Sequence, residues 1–386
     1  MSVRKRTWRN RDGSQGEAWV VNYTDQAGAR RLKSFDRKKD ADAFAGAVSV
    51  DVRSGVHVPD SQSITVAEAA QLWLASADAA GLERSTREQY RRHVKLHIVP
   101  LNGAVKLSQL TVPAARAFED RLRRDRSAAM VRKILTSLGS MLSDAQERGL
   151  VAQNVVRGRL RRPANKPSDA RIRGRLRVGT DIPSPDEIRA IITALNNRSQ
   201  WRPLLLTAMF TGLRSSELRG LRWSDIDLRA GELHVRQRAD RYRKIGPPKS
   251  ESGERTIPLP PMLTRTLREW KLACPKGDLD LVFPNGRGRI MDYNNITARG
   301  LGPIEIAAGV VTKSGNAKYG LHALRHFYAS WCINRRVDGG LELPLKVVQA
   351  RLGHASIRMT ADRYGHLFPR GDDGAEMAAA EKTFLN

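Results

Sequence analysis

The spacing of apolar residues predicts a small β-rich start that is followed by helical domains. Glu17 to Tyr23 favours a strand, Arg30 to Phe35 returns as a second strand, and a helix is expected to begin near Asp36. This pattern predicts a separate module of sheet and helix over residues 1–60. The Gly, Pro and Ser residues of 55–63 indicate a linker at its end.

Helical periodicity dominates residues 61–160. Thr65 with Glu68, and Ser85 with Glu88, have the spacing of capping boxes at helix starts. Farther along, apolar residues recur at steps of three and four, which places them on one stripe of a helix. The members of this stripe are Val131, Ile134, Leu135, Leu138, Met141, Leu142 and Ala145. We expect the stripe to form the core of a helical domain.

A third domain is expected over residues 182–386. Ser184 and Glu187 form a capping box, with proline at the first helical position. Apolar helical segments follow, strands are predicted at 233–237 and 255–259, and the last part returns to helix. The expected fold class is therefore multi-domain and mainly α, with small β-sheets.

Charge points to a nucleic-acid partner. The chain has 67 Lys and Arg against 40 Asp and Glu, a formal charge of +27. Solubility alone would usually mix both signs and stay nearer neutrality, so DNA or RNA is the expected counter-charge. Residues 161–181 are predicted to form a basic linker that contacts DNA. The candidate DNA-contacting side chains are Arg84, Arg87, Arg91, Arg92, Lys95, Arg132, Lys133, Arg171, Arg173 and Arg175.

Several other classes of protein are disfavoured. Cys274 and Cys332 have neither a CxxC nor a Cys/His ligand spacing, so a disulfide framework or a zinc site is not indicated. No apolar stretch is long enough to span a bilayer. The sequence also lacks a G-x-x-x-x-G-K-[ST] phosphate loop and an H-E-x-x-H motif. We expect no cofactor, no metal and no membrane partner, and a reducing cytosol as the location.

Six residues of the second half lie, in order, inside recognisable phrases. Arg214 lies in T-G-L-R-S-S-E-L, Lys249 in P-K-S-E-S-G-E-R-T-I-P-L, His322 and Arg325 in H-A-L-R-H, and His354 with Tyr364 in L-G-H-A-S-I-R-M-T-A-D-R-Y-G-H-L. Each residue alone is more often a surface or packing residue, but six in this order favour a shared chemistry. The phrases resemble those of the tyrosine recombinases, the phage-integrase family, and the resemblance covers essentially the whole chain.

Three of the six have an evident part in cutting a phosphodiester. Tyr364 is the natural nucleophile if a neighbour accepts its proton, since a phenol ordinarily has a pKa of about 10. Arg214 and Arg325 suit the phosphate oxygens, because a guanidinium is a planar, two-pronged donor that remains charged. His326 and His366 also fit the phrases but are assigned no chemistry: His326 is expected to point away from Arg325, and His366 to pack or cap.

The resemblance supplies the remaining roles. It implies that His322 is the general acid/base near the tyrosine and that His354 is a second donor to the phosphate. Lys249 would be the general acid for the leaving 5′ oxygen, delivered by a hairpin. Glu217, three residues after Arg214, is expected to orient the arginines or His322 by hydrogen bonding.

The same resemblance implies an architecture and a reaction. The architecture comprises an arm-DNA-binding module, a helical SAM-like core-DNA-binding domain and an α-rich mixed α+β catalytic domain. A homo-tetramer would cut and rejoin double-stranded attachment sites through a 3′-phosphotyrosyl link, without metal or ATP, to integrate or excise a phage or other mobile element. A host DNA-bending protein and an excision factor are candidate partners, and the C-terminal tail is a candidate contact between protomers. The expected location is the cytoplasm of a bacterial host, at the nucleoid.

Three alternatives remain at this stage. A Xer-type resolvase of chromosome dimers has the same chemistry, although the amino-terminal module argues against it. A non-catalytic basic DNA-binding protein would explain the charge but not the six residues. A metal-dependent transposase or nuclease would need clustered carboxylates, and none stands out.

Overall fold

The computed structural model describes residues 1–10, 12–25, 28–53, 57–157, 175–195, 200–368 and 373–385. The chain forms two compact units, Met1–Asn165 and Lys166–Asn386. Among the described residues, no helix has both the length and the apolar character that crossing a bilayer requires.

The first unit begins with an antiparallel sheet. Its strands are β1 (Ser2–Arg9), β2 (Gln15–Thr24) and β3 (Arg30–Phe35), in that order, and α1 (Lys38–Arg53) packs against them. The buried residues between sheet and helix are Val21, Tyr23, Ala41, Ala45 and Val48. The sequence pattern does not predict β1, because nearly all of its side chains are exposed and no alternation of apolar residues marks it.

The end of the predicted linker packs against both of its neighbours. The Tyr23 hydroxyl and His57 Nε2 are 2.9 Å apart. The Asp60 carboxylate accepts a hydrogen bond from Lys33, and the Asp60 carbonyl accepts one from Lys106 Nζ at 2.6 Å. Within this unit, direct contacts therefore join the sheet module to the helical domain.

The helical domain has the predicted core. Its helices are α2 (Val66–Ala79), α3 (Arg84–His93), α4 (Val99–Asn102), α5 (Val112–Asp125) and α6 (Ala128–Glu147), and a π-helical turn at Val94–Ile98 connects α3 to α4. The predicted stripe on α6 is buried at all seven positions, which confirms that prediction.

Of the two capping boxes predicted in this domain, one forms. Thr65 and Glu68 make reciprocal hydrogen bonds at the start of α2. The second prediction is wrong, because α3 begins at Arg84 and Ser85 is already inside the helix. The Glu88 carboxylate instead accepts from Arg84 Nε at 3.0 Å. A charged pair four residues apart stabilises a helix without a cap.

The second unit is α-rich with two small sheets. Its helices are α7 (Pro185–Ala194), α8 (Trp201–Thr211), α9 (Ser215–Gly220), α10 (Pro261–Ala273), α11 (Tyr293–Asn295), α12 (Gly302–Ala307), α13 (Leu321–Ile333), α14 (Leu345–Leu352), α15 (Ile357–Tyr364) and α16 (Asp373–Leu385). Its strands are β4 (Ile226–Asp227), β5 (Glu232–Val235), β6 (Arg238–Ala239), β7 (Ile245–Gly246) and β8 (Arg255–Pro258).

These strands pair as two antiparallel sheets, one in the order β4-β5-β8 and one formed by β6 and β7. The capping box predicted from Ser184 and Glu187 is present at the start of α7. The central helix α13 is buried along most of its length and packs on α8 and α14. Residues on these three helices and on β8 approach one another, and the candidate site lies there.

Candidate active site

Helix α13 carries Arg325 into the interior of the second unit. Arg325 is only 2% exposed, and its guanidinium donates to the carbonyl of Gly212 at 2.6 Å and to the carbonyl of Leu352. Both carbonyls end a helix, α8 or α14, where partial negative charge accumulates. Burial, followed by the nearby charge of Arg214, lowers the pKa of Arg325 to about 9. The group therefore remains a cation at neutral pH.

Arg214 lies at the N-terminus of α9, directly after the glycine bend that ends α8. Its guanidinium donates to Glu217 Oε1 at 2.7 Å and to the carbonyl of Gly353 at 3.0 Å. The side chain remains 30% exposed. Arg214 can therefore be fixed by the protein and still present donors to a ligand from solvent.

Glu217 joins two arginines. It is 3% exposed, and its Oε2 accepts from Arg255 Nη2 at 2.8 Å while Oε1 accepts from Arg214. Burial alone would raise the pKa of Glu217, but the charges and hydrogen bonds of Arg255 and Arg214 lower it to about 2. The hydrogen bond to Arg214 is of the kind that the sequence predicts, whereas the second partner, Arg255 at the start of β8, is not among the predicted residues. Among the described residues, no hydrogen bond joins Glu217 to His322 or Arg325.

Two glycines allow these helix ends to meet. Gly212 and Gly353 have φ of +60° and +61°, a conformation that favours glycine. A Cβ at Gly212 would lie 2.4 Å from Tyr328 Cδ1, and one at Gly353 would lie 2.8 Å from the carbonyl of Ser252. Both positions therefore require glycine for conformation and for space.

Tyr364 ends α15 and is 1% exposed. Its ring stacks on the ring of His354 with 6.3 Å between centroids and 3° between planes. Burial raises the pKa of Tyr364, although the charges of Arg325 and Arg363 oppose this rise. A neutral phenol thus lies beside a group of cations that would favour its ionised form.

His326 contacts the tyrosine hydroxyl, contrary to expectation. Its Nδ1 lies 2.7 Å from Tyr364 Oη, and burial, followed by the charge of His322, lowers the pKa of His326 to about 3. The prediction that His326 points elsewhere is wrong because α13 is buried on most sides, so the residue next to Arg325 also faces the interior. The spacing of four residues from His322 could have indicated this contact.

His322 and His354 flank the same region. The His322 ring is 4.6 Å from that of His326, edge to face, and its own outer side is exposed. Desolvation, followed by the charge of Arg325, lowers the pKa of His322. His354 is buried, its Nδ1 lies 2.9 Å from Thr360 Oγ1, and burial with Arg325 lowers its pKa to about 4. Both imidazoles are therefore neutral near pH 7.

Lys249 stands apart from the other five residues. It is exposed in the connection between β7 and β8. In the part of the chain that the structure describes, no hydrogen bond or ion pair joins it to the cluster. This placement leaves its role as a prediction.

The candidate DNA-contacting residues differ in their surroundings. Arg87 and Arg91 both pair with Asp78, at 3.1 and 2.6 Å, and Arg84 pairs with Glu88. Phosphate would compete with these carboxylates for the three arginines. Arg92, Lys95, Arg132, Lys133 and Arg175 are exposed, as are Arg84 and Arg91. Arg171 and Arg173 lie outside the described residues.

His366 packs as predicted. Its Nε2 donates to the carbonyl of Leu176 at 2.7 Å, and Leu176 in turn packs on the core of the second unit. This contact ties the end of the basic segment to the helix that carries Tyr364.

Comparison with known proteins finds relatives over most of the chain. Residues 184–370 match the model of the phage integrase family. A XerC-like tyrosine recombinase of Caldanaerobacter subterraneus is 27% identical over 377 residues, 90% of each chain, and the integrase of Mycobacterium phage L5 is 24% identical over 359 residues, 89% of this chain and 88% of that one. The structure of a lambda integrase tetramer bound to a Holliday junction is 19% identical, covers 95% of this chain and 96% of that chain, and has a TM-score of 0.58, which shows a shared fold. Residues 184–370 of the chain therefore form a domain of the phage integrase family.

Proposed function

We propose that this recombinase cuts and rejoins DNA at the cluster around Arg325, with Tyr364 as the nucleophile. The observation that carries the proposal is the convergence of a buried tyrosine with two arginines from different helices, Arg325 inside α13 and Arg214 at the start of α9. Arg325 and Arg214 are held by the carbonyls of neighbouring residues, Leu352 and Gly353. Tyr364 lies close enough to both for their charges to act on its pKa.

The charges of the cluster suit a phosphodiester. Glu217 forms ion pairs with Arg214 and Arg255, and its charge also acts on Arg325. The charge of Arg214 contributes to the lowered pKa of Arg325. A bound phosphate would supply the missing negative charge. The same guanidiniums would then stabilise the additional charge that develops in the transition state.

The reaction balances without an external energy source. Tyr364 Oη attacks phosphorus, a phosphotyrosyl bond forms to the 3′ side, and the bond to the 5′ oxygen breaks. His322, which is neutral near pH 7, would accept the phenol proton, and Lys249 would give a proton to the 5′ oxygen. Attack by a 5′-hydroxyl of another strand reverses these steps and rejoins DNA. The phosphotyrosyl bond conserves the energy that rejoining needs.

We further propose how the parts of the chain divide the work. Residues 1–60 would bind arm sequences, residues 61–160 would clamp the core site, the basic linker 161–181 would follow the backbone, and residues 182–386 would cut. Four copies would assemble on two duplexes, with contacts through the C-terminal tail, to integrate or excise a mobile element at the bacterial nucleoid. A host DNA-bending protein and an excision factor would assist.

A Xer-type resolvase is the second candidate. One observation favours it: the XerC-like relative matches 90% of this chain, so length alone does not separate the two functions. The sheet module with its basic β1 supports the integrase, since a strand of this kind suits arm-site DNA.

A nicked suicide duplex tests the chemistry. Its crossover sequence can be taken from direct repeats that flank the gene. The wild-type protein should form a covalent adduct in excess EDTA and without nucleotide, whereas Tyr364→Phe should bind the duplex and form none. An adduct that persists in this variant, or one that requires added magnesium, would contradict the proposal.

A further inference from the structure

The hydroxyl of Tyr364 has a defined partner that is not among the six residues of the motif. Oη lies 2.7 Å from Nδ1 of His326, and both side chains are buried. This is the one hydrogen bond that the described residues provide to the hydroxyl. The direction of the nucleophilic oxygen therefore depends on His326.

The surroundings of His326 fix its ring. Neighbouring residues of α13 are buried before and after it, and the His322 ring covers one edge at 4.6 Å. Rotation of the Tyr364 ring is limited as well, because this ring lies parallel to the ring of His354. Two rigid rings thus hold one short hydrogen bond, and this arrangement can set an attack angle.

His326 is a poor candidate for the base. Burial and the charges of His322 and Arg363 lower its pKa to about 3, so it is neutral throughout the working pH range and would hold a phenol proton only at great cost. A neutral imidazole that carries its proton on Nδ1 can still donate a hydrogen bond to the phenol oxygen. In that orientation the phenol proton points away from His326 and remains available to His322, the proposed base.

We propose that His326 is a positioning residue, which donates a hydrogen bond from Nδ1 to Tyr364 Oη and so aims the oxygen for attack on the phosphate. The proposal rests on the proposed role of Tyr364 as nucleophile and deepens it. His326 acts through the tyrosine and touches neither phosphate nor leaving group.

Three variants separate the hydrogen bond from the packing. His326→Asn places an amide group, which can donate, near the position of Nδ1, His326→Gln places one near Nε2, and His326→Phe keeps a ring without a polar atom. His234→Asn is a matched control, since the Nδ1 of His234 also contacts a hydroxyl, that of Thr256, on the solvent side of the sheet.

The first measurement is the single-turnover rate of adduct formation on the nicked duplex. We expect His326→Phe and His326→Gln to be about 10²-fold slower, the loss typical of a misplaced reacting group. His326→Asn should recover most of the rate, and His234→Asn should match the wild type. The pH profile of His326→Phe should keep the shape of the wild-type profile, because the imidazole does not titrate in that range.

The second measurement bypasses the tyrosine. A strand ending in a 3′-(4-nitrophenyl) phosphate reacts with a 5′-hydroxyl strand: the new P–O5′ bond forms and nitrophenolate leaves. The double variant Tyr364→Phe, His326→Phe should ligate this substrate as fast as the single variant Tyr364→Phe. The positioning role would be overturned by any of three results. Ligation of this substrate could slow as much as adduct formation does, His326→Phe could form adduct at the wild-type rate, or the pH profile of His326→Phe could lose its acidic limb. Failure of the wild type itself to form an adduct on bound DNA would instead refute the proposed function.

Discussion

Glu217 provides the most quantitative test of how the site is built. Its pKa falls from an ordinary 4.5 to about 2 in the folded protein. At about 1.4 kcal/mol for each pKa unit, the charged carboxylate contributes roughly 3 kcal/mol to stability. Because the folded pKa is lowered, this contribution is fully present above pH 4.5 and is lost as the pH falls toward 2. Glu217→Gln should therefore be strongly destabilising at pH 7 and less so in acid.

Hydrogen exchange of peptides from α8 and α13 can measure this effect, since it reports the opening of the second unit separately from residues 1–165. We expect the opening free energy of Glu217→Gln to be lower by about 3 kcal/mol at pH 7. The deficit should shrink by about 1 kcal/mol at pH 3.5. Glu254→Gln, which changes an exposed carboxylate next to Arg255 in the chain, should have little effect. A deficit under about 1 kcal/mol at pH 7, or one that does not depend on pH, would refute the reasoning.

Three further predictions concern single features of the chain. Arg214→Lys and Arg325→Lys keep the charge but lose the two-pronged geometry, and each should slow single-turnover cleavage by roughly 10²–10³-fold; rates within a few-fold of wild type would show that they are ordinary backbone clamps. Gly212→Ala forces a Cβ against Tyr328 at a positive φ, and should lower stability by about 2 kcal/mol or more in thermal unfolding; an unchanged midpoint would contradict the packing. Deleting residues 1–60 should leave core-site cleavage intact, reduce the salt dependence of binding and abolish integration at a full attachment site; equal integration at matched core-site occupancy would favour the Xer-type alternative.

Local periodicity predicts the helix core correctly, and capping motifs predict most but not all of the helix starts. The stripe from Val131 to Ala145 is buried as predicted, because seven apolar residues on one face have no alternative to a core. Ser184 caps α7 because the serine, the proline after it and Glu187 all favour a helix start there. Ser85 and Glu88 have capping-box spacing, but Arg84 pairs with Glu88 and the helix begins at Arg84, two residues before the start that a Ser85 cap predicts.

Long-range contacts could not be predicted from local patterns. Arg255 lies 38 residues after Glu217, and only the fold brings the start of β8 to the start of α9. The sequence predicts the direction of His326 only relative to Arg325 on the same helix, whereas its partner Tyr364 lies on another helix. Strand β1 has exposed, largely basic side chains and pairs through its backbone, so no alternation of apolar residues marks it as a strand.

The central claim is that Tyr364 becomes covalently linked to a DNA 3′ end. Adduct formed on the nicked duplex can be digested with nuclease and protease and sequenced by tandem mass spectrometry. We predict that one peptide carries the nucleotide mass, that the modified residue is Tyr364, and that the linkage is to a 3′-phosphate. A nucleotide on any other residue, or a linkage to a 5′-phosphate, would contradict the account.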